Sequence, residues 1–329
     1  MEAMKGTRHR FAVFVLILVL VGLALRFTVP PMAPIHPNTH GIEQLRVLLE
    51  PDIEPQQTSF ISPIYSTFMG LVTAIFGASE ETVFRTNSVL GCLTILSLVI
   101  LGGLLGFPPV ATTVAAAAMA LTPAQVWLSF SESPTTLFEF LELTGMVFLL
   151  LAARRRAAHW LWLGAALVTL AAVLRVLTVL AVPVAAVLFV YELRKDRTPL
   201  PPAFKSHLWA TSSAALLIVS VHFWGLGPLL DLWSGHSAPG KLLSSVTVGN
   251  ILFDPTLVPT VIPVLAAMGL VGLCASKRGL SLALGGTLLI LLPMGLLVDS
   301  CREDAVRYQV PGFWGVYLLA GAGVSWLAM

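Results

Sequence analysis

The first dense group of titratable side chains reads His36-Pro37-Asn38-Thr39-His40-Gly41-Ile42-Glu43 and continues through Glu50, Asp52 and Glu54. The four carboxylates offer a general base or a cation ligand, and His36 and His40 are spaced to share one helix face as metal ligands. The same residues also describe a solvated acidic loop in which Pro-Asn-Thr starts a helix. A second acidic element reads Ser129-Phe130-Ser131-Glu132-Ser133-Pro134, followed by Glu139 and Glu142. Those last two are three apart and lie on one helix face. A carboxylate in the hydrocarbon region costs about 3 kcal/mol, so the pair faces a polar cavity or a partner, or it sits high enough to reach interfacial water.

Three cations complete the set. Arg175 interrupts about thirty apolar residues and is expected at the turn of a helical hairpin. Arg307 and Tyr308 head the last apolar run, and Lys241 lies in a polar segment before it. A guanidinium grips a phosphate through two parallel hydrogen bonds, which makes Arg307, Arg175 and Lys241 candidates for holding an anionic substrate. Ordinary anchoring at the membrane interface accounts for Arg307 and Tyr308 equally well. Cys92, Cys274 and Cys301 are too far apart for a metal or disulfide framework. The residues require no cofactor, while the acidic loop leaves room for a divalent metal.

Helices in lipid must position these groups. Of the 329 residues, 57% are hydrophobic and 11% charged, with a mean hydropathy of +0.88. Such a chain cannot cover a globule with polar surface. The net charge of +2, carried by short basic clusters at helix ends, excludes a nucleic-acid partner. Apolar runs of roughly membrane length recur at 11–29, 84–105, 109–128, 136–153, 160–174, 176–191, 207–226, 256–275, 280–298 and 310–327. The fold class expected is all-α, a polytopic membrane protein of about ten transmembrane helices forming a single domain over 1–329. The run 11–29 follows Lys5, Arg8 and Arg10, is long for a secretion signal and lacks a small-residue cleavage site after it, so it is read as an uncleaved first helix.

Residues 61–76 are apolar but short, and their placement decides the orientation of everything after them. If they lie on the membrane surface, Lys5, Arg8, Arg10, Arg154, Arg155, Arg156, Arg194, Lys195, Arg197, Lys205, Lys277 and Arg278 fall on the cytoplasmic side, twelve of the nineteen basic residues. If they span, that side keeps Lys5, Arg8, Arg10, Arg85, Arg175, Lys241, Arg302 and Arg307, or eight of nineteen. The surface helix is therefore preferred. Both termini are then cytoplasmic, residues 30–83 form a first outer loop carrying that helix, and residues 227–255 form a second large outer loop. The alanine-rich stretch 111–120 favours close helix approach, and plain span composition accounts for it equally well.

In this order the features resemble the C-type integral membrane glycosyltransferases, which use polyprenyl-phosphate sugars and include the protein O-mannosyltransferases and aminoarabinose transferases. Ser62-Pro63-Ile64-Tyr65 through Phe76-Gly77 looks like their surface segment, which commonly begins with two prolines and ends in Phe-Gly. Arg85-Thr86-Asn87-Ser88 is similar to their Arg-Leu at the second span. Ser131-Glu132-Ser133-Pro134 falls where they often place a second outer acid, and Arg307-Tyr308-Gln309-Val310-Pro311 matches their Arg-Tyr-x-x-Pro. The resemblance implies a transferase working on the outer face of the cell's inner membrane, with membrane lipid around it. It also implies a polyprenyl-phosphate-linked sugar as partner. The family's base, an aspartate after the first helix and in some members part of His-Pro-Asp-Glu-His, is replaced here by Asn38 within His36-Pro37-Asn38-Thr39-His40. An amide does not accept the proton of a hydroxyl nucleophile. Either Glu43 or Asp52 has assumed the role, or the chain is a lipid-binding or assembly component on the same scaffold. A transporter is the third reading and the least supported, since no inverted repeat or pair of broken helices is legible.

Overall fold

The computed structural model describes residues 2–28, 49, 63–131, 133–174, 181–195, 199–224, 255–256, 258–276, 280, 284 and 313–328. Among them are eleven helices and no strand: α1 (Glu2–Thr28), α2 (Pro63–Phe76), α3 (Glu80–Leu104), α4 (Pro109–Leu121), α5 (Pro123–Ser129), α6 (Thr135–Arg155), α7 (Ala158–Leu174), α8 (Ala181–Lys195), α9 (Pro202–Trp224), α10 (Val261–Ser276) and α11 (Phe313–Leu327). Helices satisfy every backbone group within the segment, which is what lipid demands.

Among the described residues, α3 and α6 are each long and apolar enough to cross a membrane, and α4 with α5 passes as one bent span. The remaining apolar helices that fall short of that length are Val13–Thr28, Ile64–Phe76, Ala158–Leu174, Val261–Ala275 and Phe313–Leu327. The chain is thus a helical membrane protein in which, among the described residues, two or three crossings are secured by length and composition; the ten expected are not all shown. The run 280–298 lies almost wholly outside the described residues.

The expected single span 109–128 is two helices meeting at 60°. Pro123 has no N–H to give Met119, and it pushes the residue before it out of the helical region. Thr122 accordingly adopts φ −64°, ψ 123°, closing α4 through its N–H to Ala118 O at 3.0 Å.

Local signals start and stop the other elements. Ser79 caps α3, its Oγ accepting the Thr82 N–H at 3.1 Å, and Glu80 and Glu81 complement the helix dipole. At the far end of α6, Arg154 and Arg155 occupy the last turn and Arg156 takes a left-handed φ of 53°. Short α2, at 14 residues, reaches only about 21 Å, in keeping with a helix that does not cross. Tyr65 and Met69, one turn apart, bury against Val83, Phe84, Leu137, Phe138 and Leu174, while Ile75 and Phe76 are about three-quarters exposed. The helix therefore sits over the end of the bundle where α3 and α6 begin and α7 finishes.

Small residues bring the long helices into backbone contact. A Cβ on Gly145 of α6 would lie 3.0 Å from Val168 N, and one on Gly164 of α7 would lie 2.7 Å from Leu149 N. In lipid, where apolar burial does not separate helix from solvent, such close packing is what holds helices together. The alanine-rich stretch behaves likewise. Ala111, Ala115, Ala116 and Ala120 are all but fully buried, and the Ala111 carbonyl occupies the space that a Cβ on Gly321 of α11 would need.

The two ends of the bundle differ in charge. Arg154, Arg155, Arg156, Arg194, Lys195 and Lys205 gather where α6 and α8 end and α7 and α9 begin. Arg154 Nε pairs with Glu192 Oε1 at 2.6 Å and its guanidinium also donates to Leu104 O, closing α3, α6 and α8 together. Glu80, Glu81, Glu139 and Glu142 lie toward the opposite end.

Candidate functional site

A group of buried polar side chains occupies the acidic end, built where α1 finishes and α3, α6 and α11 begin. Arg26, in the last turn of α1, is fully buried. Its Nε donates to Ser129 Oγ at 3.1 Å, and its Nη1 donates to Gly22 O at 3.1 Å and Ala120 O at 3.2 Å. Ala120 is in the final turn of α4, whose carbonyls lack intrahelical donors, so the break at Pro123 supplies the acceptor that Arg26 takes. Space for the guanidinium comes from Gly91 on α3: a Cβ there would collide with Ser129 Oγ and stand 3.1 Å from Arg26 Nε.

From Ser129 the network runs into α6. Ser129 Oγ donates to Gln125 O at 2.9 Å, and Gln125 Nε2 donates to Glu139 Oε2 at 2.5 Å. One turn on, Glu142 Oε1 accepts the indole N–H of Trp314 of α11 at 3.1 Å. Both acids are buried. The expectation that this pair faces a polar partner therefore holds, and the alternative of interfacial water does not. Arg26 and Glu139 lie within reach of each other's charge, with Tyr317 beside them, yet no ion pair closes between them among the described residues. Arg26 Nη2, Gln125 Oε1, Glu139 Oε1 and the Tyr317 hydroxyl are buried without a well-formed hydrogen bond.

A second node lies one turn from the first. Asn87 of α3 is fully buried, and its Nδ2 donates to Ser131 O at 2.6 Å, the Tyr65 hydroxyl at 3.0 Å and Ser133 O at 3.2 Å. Ser88 Oγ bonds its own helix at Phe84 O (2.9 Å) and reaches Ser129 O at 3.3 Å. Exposed Arg85 spans to the end of α1, donating to Phe27 O at 2.9 Å and stacking 4.8 Å from the Phe27 ring, with Glu81 at 3.3 Å. The stretch Arg85-Thr86-Asn87-Ser88 is thus the seam joining α1, α2, α3 and the turn after α5.

Glu43, Asp52, Glu132, His36, Asn38, His40, Arg175, Lys241, Arg307 and Tyr308 all lie outside the described residues. Of the groups singled out in the sequence, Glu139, Glu142, Arg85, Asn87 and Ser88 are placed, and they converge on one end of the bundle. Sequence reasoning passed over Arg26, Gln125, Trp314 and Tyr317. Arg26 carried a signal, a charge three residues from the end of an apolar run, where a snorkelling side chain is the ordinary reading. Among the described residues no three His, Cys, Asp or Glu side chains converge as a metal site.

No protein-family model matches the chain, and no curated protein matches its sequence. In fold it is similar to the crystal structure of the Archaeoglobus fulgidus oligosaccharyltransferase in the apo form, with a TM-score of 0.60 at 13% identity. The match covers 96% of this chain and 50% of that one. The chain therefore spans half the length of that protein, and what the two share over that length is the fold.

Proposed function

We propose that this chain is a membrane glycosyltransferase that moves a sugar from a polyprenyl-phosphate donor to an acceptor at the outer face of the membrane. The observation that carries the reading is the fold likeness to an oligosaccharyltransferase over nearly the whole chain. The motif order Ser62-Pro63, Arg85, Glu132 and Arg307-Tyr308 supports it. So does the gathering of buried polar groups at the end where α1 finishes, the end that the cytoplasmic basic clusters oppose.

The chemistry follows from the residue types. A carboxylate of the first outer loop, Glu43 or Asp52, takes the proton of the acceptor nucleophile, which forms its bond to the anomeric carbon as the bond from that carbon to the phosphate oxygen breaks. Arg307, Arg175 and Lys241 hold the phosphate and stabilise the charge that it gains on leaving. Glu132 completes the acidic side of the site. About ten crossings, cytoplasmic termini and an inner-membrane location belong to the same proposal.

Purified protein in lipid nanodiscs, supplied with polyprenyl-phosphate hexoses, tests the reading beside Asp52→Asn, Glu43→Gln and Arg307→Ala variants. Transfer by the wild type, lost in one carboxylate variant, names the base. Asn38, standing where the resembling enzymes carry their aspartate, favours one second reading, a lipid-binding or assembly component. Donor binding that depends on Arg307 with no turnover across the panel supports that reading and rejects catalysis.

A further inference from the structure

We propose that the basic end of the bundle, over the seam between α7 and α9, is a binding surface for the headgroup of an anionic phospholipid. The proposal concerns the end opposite the buried acids and stands whatever reaction the chain carries out.

One small apolar cluster brings four helix ends together. Ala152 and Ala153 of α6, Leu161 of α7, Phe189 of α8 and Phe204 of α9 bury against one another. The cations close to them in sequence, Arg155, Arg194, Lys195 and Lys205, are therefore held at one end of the bundle, and all four are exposed. With Arg154 and Arg156, six cations stand there against one carboxylate among the described residues, Glu192. That carboxylate is taken by Arg154 at 2.6 Å, with Lys195 at 3.9 Å. So concentrated an excess of positive charge repels itself and calls for anions from outside the chain.

The neighbouring side chains say which anions. Trp162 and Leu163 on α7 and Trp209 on α9 are exposed, at 42%, 41% and 75%, the pattern of side chains that face lipid with tryptophan at the interface. Lys205 lies one turn, about 6 Å along the axis, before Trp209. Its ammonium therefore reaches the depth of the lipid phosphates, just outside the hydrocarbon. A free anion or an acidic peptide would match the charge and make no use of the apolar side chains beside it, whereas an anionic phospholipid matches both. The seam itself is fixed. Trp162 Nε1 donates to His207 Nδ1 at 3.3 Å, with the two rings edge to face at 6.4 Å. This bond ties α7 to α9 and leaves the proton of neutral His207 on Nε2, a hydrogen-bond donor. With Lys205 in the same turn of α9 and Arg155 at the end of α6, the seam has the donors that a phosphodiester takes.

The test titrates full-length protein in a neutral detergent with phosphatidylglycerol and, separately, with phosphatidylcholine, and reads bound lipid by native mass spectrometry. Wild type is expected to bind phosphatidylglycerol about tenfold or more tightly than phosphatidylcholine. Arg155→Gln combined with Lys205→Gln is expected to weaken phosphatidylglycerol about 25-fold, at about fivefold for each cation, with phosphatidylcholine unchanged. Arg85→Gln removes a cation at the other end of the bundle and leaves the preference intact. As a second readout, phosphatidylglycerol is expected to raise the melting temperature of wild type and not that of the double variant. Equal affinity of wild type for the two lipids overturns the proposal. So does a preference that survives in the double variant, or one that falls as far in Arg85→Gln. Should the double variant fail to fold, Lys205→Gln alone decides in its place, with a loss of about fivefold expected and an unchanged affinity overturning the proposal.

Discussion

Gln125 donates a 2.5 Å hydrogen bond to Glu139, joining the short helix beyond the Pro123 break to the first of two acids buried in α6. The bond spans the turn that carries Glu132, so the two sides of that turn are held at a set separation. Because the carboxylate is buried, its remaining donors are few, and each one matters more than it would in water.

Gln125→Leu is expected to destabilise the protein by about 2 kcal/mol, the scale for leaving a buried polar group without its hydrogen bond. Glu139→Gln, which can still pair with Gln125 through its amide, is expected to cost less. Combining Gln125→Leu with Glu139→Leu should recover about 1 kcal/mol relative to the sum of the single changes, since no polar group is left stranded. Denaturant unfolding of the wild type, the two single leucine variants and their double in one detergent measures the coupling, and additive losses would show that the bond is not formed.

Arg26→Lys keeps the charge and loses the planar fork that reaches Ser129, Gly22 and Ala120 from one side chain. A loss of about 2–3 kcal/mol is expected, with Arg26→Met no worse than Lys because the apolar stem leaves no buried charge behind. Thermal unfolding in nanodiscs decides this, and a fully stable Arg26→Lys protein would contradict the geometry.

Two glycines of α3 should part company. Gly91→Ala thrusts a methyl group into the Arg26–Ser129 contact and is expected to cost about 1–3 kcal/mol. Gly103→Ala meets nothing within 4 Å and should be neutral or stabilising by about 0.5–1 kcal/mol. Parallel melting curves check the pair, and equal effects would mean that α1 does not approach α3 at Gly91.

At the basic end, Arg154 is about one-third exposed while Glu192 is nearly buried. Arg154→Ala leaves Glu192 with Lys195 at 3.9 Å, so a loss of about 1–2 kcal/mol is expected, discounted for the exposure of the arginine. Glu192→Gln retains an acceptor and should lose less. Unfolding of both variants in low and high salt tests this, with the gap between them surviving salt because Glu192 is screened little.

Much of this was legible in the chain before any coordinates. Composition and run length settle the solvent, and the run expected from 109 starts its helix at Pro109, whereas the run expected from 84 starts four residues earlier, behind the Ser79 cap. The cost of a carboxylate in hydrocarbon left Glu139 and Glu142 two places, a polar partner or interfacial water, and their burial in the fold decided for the first. The small residues of 111–120 were legible as a place where backbones could meet, and the fold adds Gly145 as another. The run 109–128 reads as one span because hydropathy averages over a window and does not register the 60° bend at Pro123 inside it. Partners are what tertiary structure alone decided. Arg26 and Ser129 are 103 residues apart, and Glu142 and Trp314 are 172 apart. Their hydrogen bonds exist only once helix packing has brought distant turns to one depth. A residue's type states what it needs when water is removed, and the fold determines which side chain meets that need.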